Sequence, residues 1–163
     1  SAKFFSEEFP KSKIISIEPE LKNIELAKVN CEKNHNIEFI QAAIGSTTGN
    51  VRINNIDDDP NSFKVSRAMS SNDDSIKLIT IKDILDENKD AELFITKVDI
   101  EGFEEDLFND NHEWISQCFV LIIELHDWMM PKSANSNNFL KAISNYKRDF
   151  IYKEENIFSI NNE

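Results

Sequence analysis

The chain has 163 residues, a length that fits one ordinary domain. Its 18 Lys and Arg residues against 30 Asp and Glu residues give a net charge of −12, which argues against a partner bound through the phosphate backbone of a nucleic acid. Hydrophobic residues make up 40% of the chain, enough to fill a core, but the longest apolar run, residues 118–123, is too short to span a membrane. The two cysteines, Cys31 and Cys118, cannot build a disulfide framework, so we expect a reducing compartment and a cytoplasmic location.

The first part of the chain alternates between helical and strand patterns. Residues 1–9 have the apolar spacing of a helix, and residues 14–18 form a β-branched strand that stops before Pro19. Helical periodicity returns over residues 21–31, and a second apolar strand covers residues 37–44. This alternation predicts right-handed βαβ crossovers and an α/β fold with a mainly parallel sheet.

The rest of the chain adds an insertion and a second set of strands. Residues 54–75 are rich in Asn, Asp and Ser and predict a long exposed loop within a hairpin-like insertion. The most apolar strand, residues 119–125, is expected at the middle of a sheet whose two faces are covered by helices. The other predicted elements are strands at residues 76–79 and 93–99, helices at 81–88, 104–109 and 139–146, and an antiparallel hairpin at 150–160.

Polar residues follow four of the predicted strands. The strand ends are Glu18, residues 41–43, residues 97–102 and residues 124–127. A strand can end in polar residues simply because the chain leaves the core. In open α/β sheets, however, ligands bind outside the carboxyl ends of the strands, so four polar ends together favour a ligand site.

Glu18 has two interpretations on the sequence alone. A carboxylate at the tip of a strand beside a nucleotide crevice accepts hydrogen bonds from both hydroxyls of a ribose. The same acid also lies just before a predicted helix, where the helix dipole favours a negative charge. Both interpretations stay open at this point.

Lys97, Asp99 and Glu101 alternate along the third strand end, so they point to one side of an extended chain. A lysine inside an apolar run is costly unless it is paired. Lys97 therefore either forms a structural pair with one of the acids or lines a polar cleft with them, and we favour the cleft. Gly102 then allows a sharp turn or the close approach of a ligand.

His126, two residues after Glu124, is the histidine best placed for proton transfer, although a histidine after a buried strand is also often a hydrogen-bonded core residue. His35 and His112 lie in polar segments, where solvated roles are expected. The carboxylates near His126 are of the type that binds a divalent ion. No local ligand spacing requires one, and Lys97 argues against it, so we predict no metal site.

Several segments together resemble the FkbM-type S-adenosylmethionine-dependent methyltransferases. The segments are IISIEPE, FIQAAIGSTTGNV, LITIKDIL, ITKVDIEGFEEDLF and LIIELH, and the most distinctive block is KVDIEGFE. The resemblance implies a class I (Rossmann-like) methyltransferase sheet whose last two strands come from the terminal hairpin. It also implies transfer of a methyl group from S-adenosylmethionine to a hydroxyl of a small molecule, sugar or glycolipid.

The resemblance also implies roles for particular residues. Glu18 would hold the ribose hydroxyls, Ala42 and Ala43 would lie near the adenine, and Glu124 and His126 would face the methyl-transfer cleft. His126 or Asp99 is then the candidate base, with Lys97 orienting the acceptor oxygen. The full set of implied cofactor-binding residues is Glu18, Pro19, Ala42, Ala43, Asp99, Glu101 and Gly102.

The chain departs from the family in one respect. The glycine-rich DxGxNxG-like strand and loop that precede the first helix in the family do not occur in these 163 residues. We therefore expect residues 1–163 to be one methyltransferase-like domain of a longer protein. We also expect a gap between the strand of Glu18 and the strand of Asp99, and weak cofactor binding by this chain alone.

Two other functions remain open. One is a catalytically silent methyltransferase-like module that binds a partner through its acidic surface. The other is a nicotinamide-dependent oxidoreductase, which shares the parallel sheet but needs its own glycine fingerprint. For the leading function we expect a small-molecule or glycan acceptor, no nucleic-acid partner and no membrane span.

Overall fold

The structure, a computed structural model, describes residues 1–55, 63–67 and 75–163. In these ranges the chain forms six helices and ten strands. The helices are α1 (Ala2–Glu8), α2 (Leu21–Asn30), α3 (Ile81–Glu87), α4 (Glu104–Leu107), α5 (Trp114–Gln117) and α6 (Asn137–Ile143). The strands are β1 (Ile14–Glu18), β2 (Ile37–Gln41), β3 (Ala43–Ile44), β4 (Gly49–Asn55), β5 (Phe63–Arg67), β6 (Ile76–Ile79), β7 (Ile95–Val98), β8 (Val120–Glu124), β9 (Arg148–Lys153) and β10 (Asn156–Asn161).

The described strands form three sheets. Their orders are β1-β2, β3-β6-β4-β5 and β7-β8-β10-β9. In the described part of the chain no strand joins β1 to β7, so the predicted gap between the strand of Glu18 and the strand that precedes Asp99 is observed.

The α/β fold class is confirmed, but the mainly parallel sheet is not what the described strands show. The pairs β1-β2, β3-β6 and β7-β8 are parallel, whereas the four pairs β4-β5, β4-β6, β8-β10 and β9-β10 are antiparallel. The prediction rested on helix–strand alternation, which produces parallel neighbours through crossovers. The antiparallel pairs come from β4 and from the terminal hairpin, which do not follow that alternation.

Two predicted segments differ from the structure in detail. The apolar run at residues 37–44 is divided by Ala42 into β2 and β3, which belong to different sheets. The predicted loop at residues 54–75 contains the strand β5, so it is not a continuous loop, and its residues 56–62 and 68–74 lie outside the described residues.

The core lies around β7 and β8, packed against α4, α5 and α6. Its largest fully buried side chains include Leu107, Phe108, Ile115, Leu121 and Phe139. The strand β8 lies between β7 and β10, so the interior position predicted from its apolar sequence is confirmed. The parallel register pairs Val98 with Ile123, which brings the chain segments after β7 and β8 to the same end of the sheet.

Arg148 fixes the terminal hairpin to this core. Its buried guanidinium donates hydrogen bonds to Ser159 and to the backbone carbonyls of Ile115 and Cys118. These bonds satisfy an arginine that would otherwise be costly to bury.

The structure gives one observation on membrane spans and one on the two cysteines. Among the described residues no helix has both the length and the apolar character needed to cross a membrane. Cys31 and Cys118 are both buried and unpaired with each other.

Candidate active site

A cavity of about 110 Å³ opens where β1, β2 and β7 end. Glu18 and Pro19 line it from the end of β1, Ala42 and Ala43 from the break between β2 and β3. The third wall is the segment that follows β7, residues 99–101, together with Phe103. Three of the four polar strand ends predicted from the sequence thus contribute to one cavity.

Glu18 is tied to its neighbours through one side of its carboxylate. Its Oε1 accepts hydrogen bonds from the backbone N–H of Glu20 (2.9 Å) and from the amide of Asn23 (3.1 Å), at the start of α2. Its backbone carbonyl accepts from the N–H of Ala42, which holds the β2–β3 break beside it. Within the described residues Oε2 makes no hydrogen bond, so one oxygen of this cavity-lining carboxylate supports the helix start and the other has no hydrogen-bond donor there.

The turn after β7 uses an unusual backbone. Glu101 has φ +48° and Gly102 has φ +93°, both in the left-handed region. Only glycine adopts such angles without strain, and a Cβ at position 102 would also collide with the side chain of Met130. Strained backbone of this kind concentrates at functional sites, and here it sets the direction of the cavity wall.

Lys97 and Asp99 form the pair that the sequence left as one of two interpretations. The Lys97 ammonium donates to Oδ2 of Asp99 at 2.7 Å, and the two side chains are 21% and 43% exposed. Asp99 also lines the cavity. The structural pair and the polar cleft therefore coexist, because Lys97 binds Oδ2 of Asp99, and Asp99 also lines the cavity.

His126 is held rigidly behind Asp99. Its Nδ1 donates a 2.5 Å hydrogen bond to Oε1 of Glu104, and both side chains are almost completely buried. Its Nε2 lies 3.5 Å from Oε1 of Glu124 and 3.8 Å from Oδ1 of Asp99. The prediction that Glu124 and His126 face the same region as Asp99 agrees with these distances.

Glu104 and Asn135 are site residues that sequence reasoning missed. Glu104 is fully buried, and its Oε2 accepts a 2.6 Å hydrogen bond from the amide of Asn135. A sequence signal existed, because Glu104 precedes the buried Leu107 and Phe108 by three and four residues and so shares their helix face. A charged residue on an apolar face indicates a buried, paired group.

Charge in this cluster shifts two pKa values. The hydrogen bond to Glu104 and the negative charges of Glu104, Glu124 and Asp99 raise the pKa of His126, against burial, which lowers it. Although Glu101 is an exposed residue, partial desolvation and the charge of Asp99 raise the pKa of its carboxyl, and Glu18 adds to the effect. Glu18 and Glu101 line the same cavity.

Four predicted residues lie outside the cavity wall. The cavity is not lined by Lys97, Gly102, Glu124 or His126. Lys97 and His126 contact Asp99. Gly102 follows Glu101 in the strained turn. They form a polar cluster adjoining the cavity rather than a part of its surface.

A second, larger cavity has a volume of about 760 Å³. It is lined by the end of α3 and by residues that precede β7 and β8, such as Asp86, Phe94 and Phe119. None of the predicted site residues lines it. It lies at the amino ends of the strands, the opposite end from that at which open α/β sheets bind ligands.

A comparison with models of protein families identifies the family of this chain. The family model for the methyltransferase FkbM domain matches residues 1–152. The chain belongs to the FkbM methyltransferase family. The resemblance found in the KVDIEGFE block is thereby confirmed, and the FkbM domain is a methyltransferase domain. Searches among curated proteins and among solved structures found no match.

In this FkbM domain the cavity wall and the adjoining polar cluster supply different chemical groups. The cavity wall supplies acidic groups at Glu18, Asp99 and Glu101. The cluster behind it supplies an imidazole fixed by the buried Glu104, and an ammonium at Lys97. The cavity wall is acidic, and the cluster contains groups that can exchange a proton.

Proposed function

We propose that this FkbM domain is an S-adenosylmethionine-dependent O-methyltransferase. In this proposal residues 1–163 form one methyltransferase-like domain of class I arrangement, with helices on both faces of its sheet. The observation that carries the proposal is the cavity at the strand ends, lined by Glu18 and Asp99. A carboxylate with a free oxygen at the tip of a strand suits a ribose, and the acidic wall suits the positive charge of a sulfonium.

The cofactor would lie along the strand ends. Glu18 would accept hydrogen bonds from the ribose hydroxyls through Oε2, with Pro19 beside it. Ala42 and Ala43, both buried, would pack near the adenine. Asp99, Glu101 and Gly102 would lie at the methionine and methyl end. At about 110 Å³ the cavity is smaller than the roughly 300–1,000 Å³ of most small-molecule pockets, so it would enclose only part of the cofactor.

The reaction needs an aligned acceptor and the loss of one proton. The S–CH₃ bond of the sulfonium breaks as the O–CH₃ bond forms, so the cofactor leaves as a neutral thioether and the acceptor hydroxyl releases H⁺. His126 is the candidate base, because Glu104 holds Nδ1 and leaves Nε2 directed at the cluster. Asp99 is the second candidate, and Lys97 would orient the acceptor oxygen.

The acceptor would be a hydroxyl of a small molecule, sugar or glycolipid. Trp128 lies two residues after His126, and 73% of its surface is exposed. A large exposed indole is a suitable stacking surface for a sugar ring or another flat, partly apolar acceptor.

Calorimetric titration with S-adenosylhomocysteine, the demethylated cofactor, tests the proposal, with NAD as the parallel ligand. The experiment uses the intact protein that contains this chain. Binding of S-adenosylhomocysteine and not of NAD is the expected result. Binding of NAD alone would assign a nicotinamide-dependent oxidoreductase, and binding of neither would assign a catalytically silent module.

A further inference from the structure

Three potential metal ligands converge behind the cavity. Asp99, Glu124 and His126 each offer one ligand atom, and these atoms all lie within 4.8 Å of one another. Metal–oxygen and metal–nitrogen bonds of about 2.0–2.2 Å place neighbouring ligand atoms about 3–3.5 Å apart. The separations from Nε2 of His126, 3.5 Å to Glu124 and 3.8 Å to Asp99, are close to that requirement.

The burial of His126 and the hydrogen bond of its Nδ1 are a second indication of a metal ligand. Its side chain is only 4% exposed, and within the described residues its Nε2 makes no hydrogen bond but lies within ion-pair distance of the carboxylates of Glu124 and Asp99. Nδ1 is already satisfied by Glu104. A buried imidazole whose inner nitrogen is fixed by a carboxylate, and whose outer nitrogen faces two further carboxylates, is typical of a metal-bound histidine.

Lys97 does not block this arrangement. On the sequence alone, a metal site is disfavoured because no local ligand spacing requires one and because Lys97 lies among the acids. In the structure Lys97 binds Oδ2 of Asp99, whereas the oxygen nearest to His126 is Oδ1. One carboxylate can therefore bind the ammonium on one side and a cation on the other.

One side of the cluster of Asp99, Glu124 and His126 is accessible to solvent. The side chain of Asp99 is 43% exposed and that of Glu124 is 20% exposed, while His126 is buried. A cation held by these three residues would keep coordination positions toward solvent and the neighbouring cavity. Open positions of this kind distinguish a catalytic metal site from a structural one.

We propose that Asp99, Glu124 and His126 bind one divalent cation of the Mn²⁺ type. Two carboxylates favour a hard ion, and the imidazole favours Mn²⁺ over Mg²⁺. The sequence alone predicts no metal site, and this proposal departs from that prediction.

The role of the cation rests on the proposed methyltransferase function. A cation beside the cavity would hold the acceptor hydroxyl oxygen and lower its pKa, so that its proton leaves to water as the methyl group is transferred. His126 is then a ligand, and this assignment replaces its role as base.

Mn²⁺ binding to the metal-stripped protein tests the site without cofactor or acceptor. Free Mn²⁺ is measured by electron paramagnetic resonance during a titration. We expect binding that weakens about tenfold or more in Asp99→Asn and in Glu124→Gln. The control is Glu105→Gln, which removes one exposed carboxylate near the site. Circular dichroism and thermal unfolding establish that each variant is folded.

The outcomes separate this proposal from the proposed function. Equal Mn²⁺ affinity in the parent and the two ligand variants, or no binding at millimolar Mn²⁺, would overturn the metal site. Intact binding of S-adenosylhomocysteine in that case would leave the methyltransferase proposal standing, with His126 as base. Mn²⁺ binding that depends on Asp99 and Glu124 would support the site even if S-adenosylhomocysteine does not bind.

Discussion

Glu104 accepts a 2.5 Å hydrogen bond from Nδ1 of His126, although the two residues are 22 positions apart and both are buried. The bond fixes the imidazole plane and directs Nε2 toward Asp99 and Glu124. Whether Nε2 takes a proton or binds a cation, its position depends on this carboxylate. Glu104 is therefore a positioning residue for the site.

We predict that Glu104→Gln lowers kcat by about 10- to 100-fold, the usual effect of removing a carboxylate that orients a functional histidine. The KM for the cofactor should change little, because Glu104 does not line the cavity. Steady-state kinetics of the intact protein measure both quantities.

Glu105→Gln is the matched control for that variant, since it makes the same change at the next residue, which is exposed. Unchanged kcat in Glu104→Gln would contradict the positioning role. A fall in kcat that is fully explained by loss of folded protein, measured by thermal unfolding, would also contradict it.

Glu18→Gln should weaken the binding of S-adenosylhomocysteine by about tenfold or more. A hydrogen bond to a charged group contributes about 1.5–3 kcal/mol, and the substitution replaces the accepting Oε2 or Oε1 by an amide donor. Calorimetry measures the change. Glu25→Gln, an exposed change on α2, should bind as the parent does, and equal affinity for both variants would remove Glu18 from the cofactor site.

Glu101→Gln should raise the stability of the protein at neutral pH. The pKa of Glu101 is raised in the folded state, mainly by desolvation and by Asp99, so its ionised form is disfavoured by folding. The gain should therefore be largest above the folded-state pKa and should disappear as the pH falls below the ordinary carboxyl range.

Urea unfolding of the parent and of Glu101→Gln at neutral and at acidic pH tests this sign. A gain that is independent of pH would show that charge is not its cause. The proposed role of Glu101 in cofactor binding predicts a matching loss of affinity for S-adenosylhomocysteine, the common exchange of stability for function at a binding site.

Gly102→Ala should destabilise the protein by about 1–3 kcal/mol, because φ +93° is strained for alanine; the overlap of the new Cβ with the terminal methyl of Met130 adds little, since that side chain is flexible. Chemical denaturation measures the change. Gly49→Ala is the control, since no atom of the residues that the structure describes lies within 4 Å of a Cβ built there. Equal stability of the two variants would contradict the account of the turn.

The sequence identified the strand ends because their signal is local. Glu18 precedes a proline at the end of a β-branched run, and Asp99 follows a buried strand, so each position follows from residues next to it. The parallel pairing of β1 with β2 and of β7 with β8 then places the strand ends on common edges.

The features that the sequence did not predict depend on distant contacts. The break at Ala42 occurs inside the strand predicted at residues 37–44, and only pairing with β6 shows that Ala43 belongs to another sheet. The bond between Glu104 and His126 joins two elements whose relative position no local pattern determines. The sequence also does not show which oxygen of Asp99 Lys97 binds, which is a detail of side-chain geometry.

A crystal structure of the intact protein with S-adenosylhomocysteine tests the central claim most directly. We predict that the ribose hydroxyls contact Glu18 and that the sulfur lies on the side of Asp99, in the cavity where β1, β2 and β7 end. A ligand bound instead in the larger cavity beside Phe94 and Phe119, or bound with no contact to Glu18 or Asp99, would contradict it.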